Sequence, residues 1–434
     1  MWGFTLKTWI TIPQVVHPDM TSSAMLTIQY LEDSPDLHQL DWEQVINNLR
    51  LAAEILPFTH LLIGWNVPPH LLEACRTEAD RLGMRFLRWH PLLTGDGVFQ
   101  PQPAWQTVGL SGHKVMGYRG MPEFTFVCPN HPEVQEGLCH RLEDLLRQGL
   151  YQGFFLDRVR FPSPAADPLN DLGCFCEHCQ RKAADQGLDL QKIQREISQT
   201  LDEKGRISLI YALLTGNAHP EYSDQRLAIN QFLLFRKSSV RDFLAMVTRP
   251  LREARLEIGL DCFSASLTHM VGQDLNGLSG LVDWIKLMAY AHTFAPAGIP
   301  YECSGLAHFL STTTLLGERQ SLDWMGASLG FPLPISYMSL EKNGLSPFAL
   351  EEEVRRGVEA CSVPALAGME LVELEGVTNL NPDQIRSDLS GLKRSGSAGL
   401  AISWDLLHIP LERLSLVRQV YLGDPSSPLQ PSPL

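Results

Sequence analysis

The sequence predicts an α/β protein, a closed (β/α)8 barrel of the TIM type with long insertions after its third and fourth strands. Two observations predict it. Short apolar runs alternate with amphipathic stretches along almost the whole chain, and the runs number eight. Strand-then-helix repetition implies a parallel sheet, and eight such units imply closure. A third observation argues against an open doubly wound sheet: no Gly-rich phosphate loop follows the first run.

The expected strands are Gly3–Ile12, His60–Trp65, Arg85–Trp89, Gly153–Val159, Ile258–Ser264, Trp284–Tyr290, Ala365–Leu371 and Gly399–Trp404. Helical periodicity covers Trp42–Ile55, Leu71–Leu82, Pro132–Leu150, Ser223–Leu256, Pro347–Ala360 and Pro382–Ser395. A ninth run, Ala327–Leu333, competes for a strand position. The rhythm breaks at residues 92–127, rich in Gly and Pro, and at 161–257. Both breaks follow strand C-termini, the end where barrel proteins build their sites. One barrel domain is expected over residues 1–422, with a disordered Pro- and Ser-bearing tail over 423–434.

Composition narrows the function. The chain has 434 residues, 44% hydrophobic and 19% charged, enough for a large core. A net charge of −14 argues against nucleic acid, whose phosphates need a basic face. No run approaches the roughly 20 apolar residues that cross a bilayer, and the N-terminus lacks the marks of a signal peptide. Nine cysteines, five of them scattered singly, suit reduced thiols and a cytoplasmic location. Monomer and homo-oligomer both stay open.

Cys174, Cys176 and Cys179 form a tight Cys-x-Cys-x-x-Cys cluster. Thiolates bind zinc tetrahedrally, so a closed structural site needs a fourth ligand. Cys128, before the Pro132 helix, is the best candidate, with His178 as the substitute. The bland reading is a set of reduced thiols. A catalytic ion fits less well, since it usually keeps a water position and His or carboxylate ligands.

The arrangement of Cys128, Cys174, Cys176 and Cys179 resembles the zinc-binding cysteines of family 42, β-galactosidase-like glycoside hydrolases. Phe155-Leu-Asp157-Arg-Val-Arg160-Phe-Pro162, Val271-Gly-Gln-Asp274 and Asp283-Trp-Ile-Lys286-Leu-Met-Ala-Tyr290 look more like the glycoside hydrolase-like barrel families. The resemblance covers roughly residues 118–180 and the strand order. It implies a structural zinc, a carbohydrate substrate and hydrolysis of a glycosidic bond by two carboxyl groups. Carried over by strand position, Asp157 is the acid/base and Glu370 the nucleophile. The family's fourth strand ends in Asn-Glu, whereas this one ends in Asp157-Arg158.

The residues themselves support acids at the barrel mouth. Asp157, Asp261, Glu370 and Asp405 each share strand parity with small neighbours such as Gly153, Gly259, Gly368 and Ser403. Small residues at the lumen leave room for a ligand. Asp261 and Asp405 are expected to bind sugar hydroxyls. Lys286, Tyr290 and His292 are expected to help, Arg158 and Arg160 to contact ligand past the strand end, and Trp404 to stack on a sugar ring, as could Trp65 and Trp89. His90 is placed at the same mouth. Each has a purely structural reading: an Asp157–arginine ion pair, or packed aromatic rings.

Three other classes compete. A non-catalytic carbohydrate-binding barrel would keep the aromatic rim and lack turnover. A metal-dependent hydrolase wants clustered histidines, which the chain lacks. Gly326-Ala-Ser328-Leu-Gly330 matches the letters of a nucleophile elbow, but Phe331-Pro332-Leu333-Pro334 cannot open the required helix.

Overall fold

A computed structural model describes residues 24–424, except 119, 120, 122, 123, 221, 222 and 379. Its centre is a closed barrel of eight parallel strands in sequential order. They are β1 (Met25–Tyr30), β2 (His60–Ile63), β3 (Arg85–Pro91), β4 (Gly153–Asp157), β5 (Glu257–Phe263), β6 (Trp284–Met288), β7 (Ala365–Glu370) and β8 (Gly399–Ser403). β1 pairs with both β2 and β8, so the sheet has no free edge.

The last seven strands lie where the sequence puts them; the first does not. Gly3–Ile12 lies outside the described residues, and the strand beside β2 and β8 is Met25–Tyr30. Its outward residues Leu26, Ile28 and Tyr30 are apolar. Its alternate residues Thr27 and Gln29 are polar yet fully buried, which broke the apolar run that marks a parallel strand. The ninth run is not a strand. Its first half ends the helix Glu318–Leu329, and Gly330 closes that helix in the left-handed conformation at φ 78°. Ser328 bonds the Trp324 carbonyl inside this helix, so no elbow exists there. The tail from 425 onward lies outside the described residues.

Two cores follow from strand alternation. Outward residues such as Ile28, Phe154, Leu260, Ile285 and Ile402 pack under the helices. Leu62, Leu87, Phe155, Trp284, Leu366 and Ala401 fill the barrel interior. Phe155 and Trp284 stack at 5.3 Å between ring centres. Gly259 makes that stack fit: a Cβ there would lie 2.3 Å from the Trp284 ring.

The segments that follow β3 and β4 touch each other. Gly109 bridges Gly173, and a Cβ on Gly109 would lie 1.6 Å from the Asn170 carbonyl oxygen. Among the described residues no helix is long and apolar enough to cross a membrane.

Gly259→Val should therefore cost about 3 kcal/mol of unfolding free energy through overpacking. A lowered denaturant midpoint with an unchanged slope is the expected readout; an unchanged midpoint would mean the interior stack is loose.

Candidate active site

A cavity of about 1040 Å³ opens at the C-terminal ends of the strands. Its floor belongs to the inward side chains. Lys286 on β6, fully buried, donates from Nζ to Gln29 Oε1 of β1 at 2.8 Å and to Asp261 Oδ2 of β5 at 3.0 Å. Ser403 of β8 donates to the same Gln29 oxygen at 2.9 Å. Burial disfavours the Lys286 charge, but Asp261 and Tyr290 outweigh it and leave its pKa raised. Burial pushes the Asp261 carboxyl up to about 7 against the pull of Lys286. Asp261 Oδ1 has no protein partner.

Asp157 ends β4 one step beyond the Leu156–Leu260 pair, so it lies alongside Asp261 on adjacent strands. Neighbouring strands run about 4.8 Å apart. Trp89 Nε1 donates to Asp157 Oδ2 at 3.0 Å, and the Arg158 N–H donates to Oδ1 at 2.6 Å. Strand parity puts Arg158 and Arg160 on the opposite face from Asp157, but both line the cavity. The strand ends at Asp157, and Arg158 turns left-handed at φ 59°, which frees the next residues from the alternation. Arg158 Nη1 donates to Thr94 Oγ1 at 3.0 Å, and its guanidinium lies over the Trp65 and Phe124 rings. Arg160 is held between Phe126 and Phe263, 4.4 and 4.5 Å from the ring centres.

Glu32 also lines the cavity, two residues past β1. It is half-buried. Desolvation raises its pKa to about 7, with Arg158 opposing and Asp405 and Asp157 adding. Sequence reasoning missed Glu32 because it put the first strand elsewhere. The signal was present: apolar Leu26, Ile28 and Tyr30 at period two, then Glu32-Asp33.

Trp65, Trp89, Tyr290 and Trp404 give the cavity aromatic walls, as the strand-end positions suggested. Tyr290 and Trp404 pack 5.8 Å apart. Burial drives the Tyr290 hydroxyl above its ordinary pKa.

Four expected positions do not face this cavity. Glu370 is 2% exposed, and its Oε1 accepts the His292 N–H at 2.6 Å. Burial lifts it to about 7, with His292 opposing. It is not among the lining residues, so the described structure does not bring it to a shared cavity with Asp157. His292 points outward, pairs with Asp388 at 2.9 Å and lines a separate surface cleft with Asn381 and Gln384. Asp405 accepts the N–H groups of Leu31, Glu32 and Leu407 at 3.1, 2.8 and 2.9 Å. It clamps backbone and is not among the residues that line the cavity. His90 faces outward beside Arg88 and Asp96, and burial drops its pKa to about 3.

Cys128, Cys174, Cys176 and Cys179 converge as the sequence predicts. Their sulfurs all lie within 4.8 Å of one another. Cys128 Sγ is 3.4 Å from Cys179 Sγ and 3.5 Å from Cys176 Sγ. A zinc tetrahedron with bonds of about 2.3 Å has edges of about 3.8 Å, so the quartet fits such an ion. The surroundings suit thiolates: the N–H groups of Val108 and Asn130, and the Asn130 side-chain amide, point at three of the sulfurs at 3.3–3.4 Å. Burial pushes Cys128 and Cys179 well up, while hydrogen bonds from the other three thiols pull Cys176 far down. His178 pairs instead with Arg181 and is not in the quartet.

No protein-family model matches the chain, and no curated protein matches its sequence. Solved structures match at the level of fold. The PgaB (BpsB) glycoside hydrolase domain from Bordetella bronchiseptica is 12% identical, with 93% of this chain and 100% of that chain covered and a TM-score of 0.54. A class V chitinase from Pseudomonas fluorescens is 10% identical, covered over 92% and 100%, at 0.47. Alpha-L-fucosidase isoenzyme 2 from Paenibacillus thiaminolyticus is 10% identical, at 0.49, with 49% of that chain covered.

Removing Lys286 would strand a buried carboxylate. Lys286→Met is expected to cost about 3–5 kcal/mol at pH 8. Asp261 has a folded pKa above its unfolded one, so its ionisation penalises the fold on the alkaline side. The loss should shrink at pH 5, where the proton removes the bare charge. Equal losses at both pH values would refute this account of the floor.

Proposed function

We propose that the chain is a glycoside hydrolase-like enzyme that cleaves a glycosidic bond in the strand-end cavity. The observation that carries this is two carboxyl groups of different character facing one aromatic-walled cavity. Asp157 takes N–H donors on both oxygens, and Glu32 has its proton affinity raised to about 7. A carboxyl with raised proton affinity beside a second carboxyl held by N–H donors is a pairing that acid and nucleophile or base roles can use. The fold shared with a glycoside hydrolase domain agrees with this reading.

In this mechanism Glu32, protonated, gives its proton to the leaving oxygen. Asp157, as carboxylate, attacks the anomeric carbon or takes the proton of an attacking water. Glu32 thus replaces Glu370 as the second carboxyl, and Asp157 acts in its ionised form. Asp261 and Lys286 hold sugar hydroxyls from the floor, Arg158 and Arg160 flank the ligand, and Trp404 with Tyr290 offers a ring-stacking wall. Glu370 anchors the backbone of the β6 loop through His292. The substrate is a carbohydrate of unassigned linkage.

The cysteine quartet holds one Zn²⁺ in this proposal, with all four positions taken by sulfur. Such an ion supplies no chemistry to the cavity and pins the segments after β3 and β4 together. Elemental analysis should find about one equivalent of zinc, and a strong chelator or Cys176→Ser should lower the melting temperature. Under about a tenth of an equivalent in freshly purified protein would overturn the site.

The carboxyl roles separate on leaving-group dependence. General acid catalysis contributes about 10²–10⁴-fold. Glu32→Gln should lose that factor on alkyl glycosides and little on dinitrophenyl glycosides, whose leaving group needs no proton. Asp157→Asn should lose activity on both. Because the Glu32 pKa is raised to about 7, wild-type kcat/KM should fall as pH rises through 7, and Glu32→Gln should flatten that limb. Glycan binding by the wild type with no turnover on a broad panel would leave a binding barrel instead.

A further inference from the structure

A second cavity of about 350 Å³ lies beside the first. Phe124, Arg160 and Pro296 line both, so the two chambers share a wall. The volume clears the roughly 300 Å³ at which pockets begin to hold small molecules. We propose that this chamber is a second saccharide subsite and that the substrate is an oligomer reaching from one chamber into the other. This rests on the carbohydrate-cleaving reading above and names the form of its substrate.

The lining is what an uncharged, hydroxyl-rich ring requires. Tyr118 and Tyr301 supply apolar ring surface. Aromatic faces take the C–H side of a sugar ring, and a few placed polar groups fix its orientation. Those polar groups are Arg160, Glu302, Ser163 and Asp171. One cation beside two acids is no site for a strongly anionic group. Glu302 is fully buried and preset: its Oε2 accepts the Ser163 hydroxyl and its Oε1 the Ala297 N–H, at 2.5 and 2.8 Å. Ser163 and Ala297 come from the segments after β4 and β6, so Glu302 ties the floor of the second chamber to the rim of the first.

Arg160 is the shared wall. It is 6% exposed and clamped between two phenyl rings. Its Nη1 donates to the Phe161 carbonyl at 3.2 Å, whereas its Nε has no protein partner. A guanidinium held rigid between two chambers, with donor capacity unspent, suits the hydroxyls of a chain that passes it.

Filling the second chamber without touching the first tests this. Ala166 is exposed and lines only the smaller cavity, as does Met116, which is 67% exposed and comes from a different segment. Ala166→Trp and Met116→Trp would be compared with wild type on arrayed neutral oligosaccharides of one to six units. Wild type should gain at least tenfold in affinity with chain length. Both variants should keep wild-type affinity for the shortest ligands and lose that gain, with unchanged melting temperatures. If wild type binds longer chains better and neither variant loses the gain, the subsite is wrong while the enzyme reading stands. If wild type shows no length dependence, the subsite is likewise wrong. Failure of wild type to bind or cleave any glycan would end both.

Discussion

The Lys286 ammonium at the barrel floor is the constraint on which the site depends. From β6 it reaches Gln29 on β1 and Asp261 on β5, and Ser403 on β8 joins through the same Gln29 oxygen. Four of the eight strands thus meet at one buried charge. A buried ion pair is poor evidence of stability, because desolvation offsets most of the attraction. What it gives here is specificity. A buried ammonium needs oxygen partners, and the strands that carry them are held in matching register. The same charge keeps Asp261 from rising further, so the floor stays polar beneath a cavity walled by tryptophan.

The apolar physics of the fold was legible in the sequence, and the polar exceptions were not. Seven strands read correctly because their residues face packed layers on both sides, and such runs stand out. Helices such as Trp42–Ile55 and Pro347–Ala360 read to their ends, since Asp41 and Ser346 cap them with side-chain acceptors. β1 was lost because Thr27 and Gln29 face the lumen, where function wants oxygen and nitrogen. That one polar pair moved the first strand to Gly3–Ile12 and hid Glu32. The cysteine quartet was legible in full, since three sulfurs within six residues have few other uses.

The site residues divide along the same line. Asp157, Asp261 and Lys286 face the cavity because strand alternation holds up to the strand end, and Tyr290, two residues past β6, lines it as well. Arg158 and Arg160 depart from it because the left-handed turn at Arg158 ends the alternation. Glu370, Asp405 and His292 carry the right chemistry at the right end of the barrel, but each spends it on backbone or on a helix. No spacing rule separates an acid that clamps an N–H from one that meets a ligand. Only the partner decides, and most of those partners are far away in sequence, from His292 beside Glu370 to Leu31 beside Asp405.

Asp405 shows how those clamps serve the cavity all the same. It follows β8, the strand that closes the barrel against β1, and its two oxygens take the N–H groups of Leu31 and Glu32. The closing strand therefore fixes the backbone from which Glu32 projects. Burial raises Asp405 to about 6, with those N–H donors pulling the other way. Near neutral pH its charge adds to the repulsion that keeps the Glu32 proton bound. Barrel closure and the placement of Glu32 are thus linked: the contact that follows the closing strand fixes the Glu32 backbone, and its charge adds to the larger effect of burial on the Glu32 carboxyl.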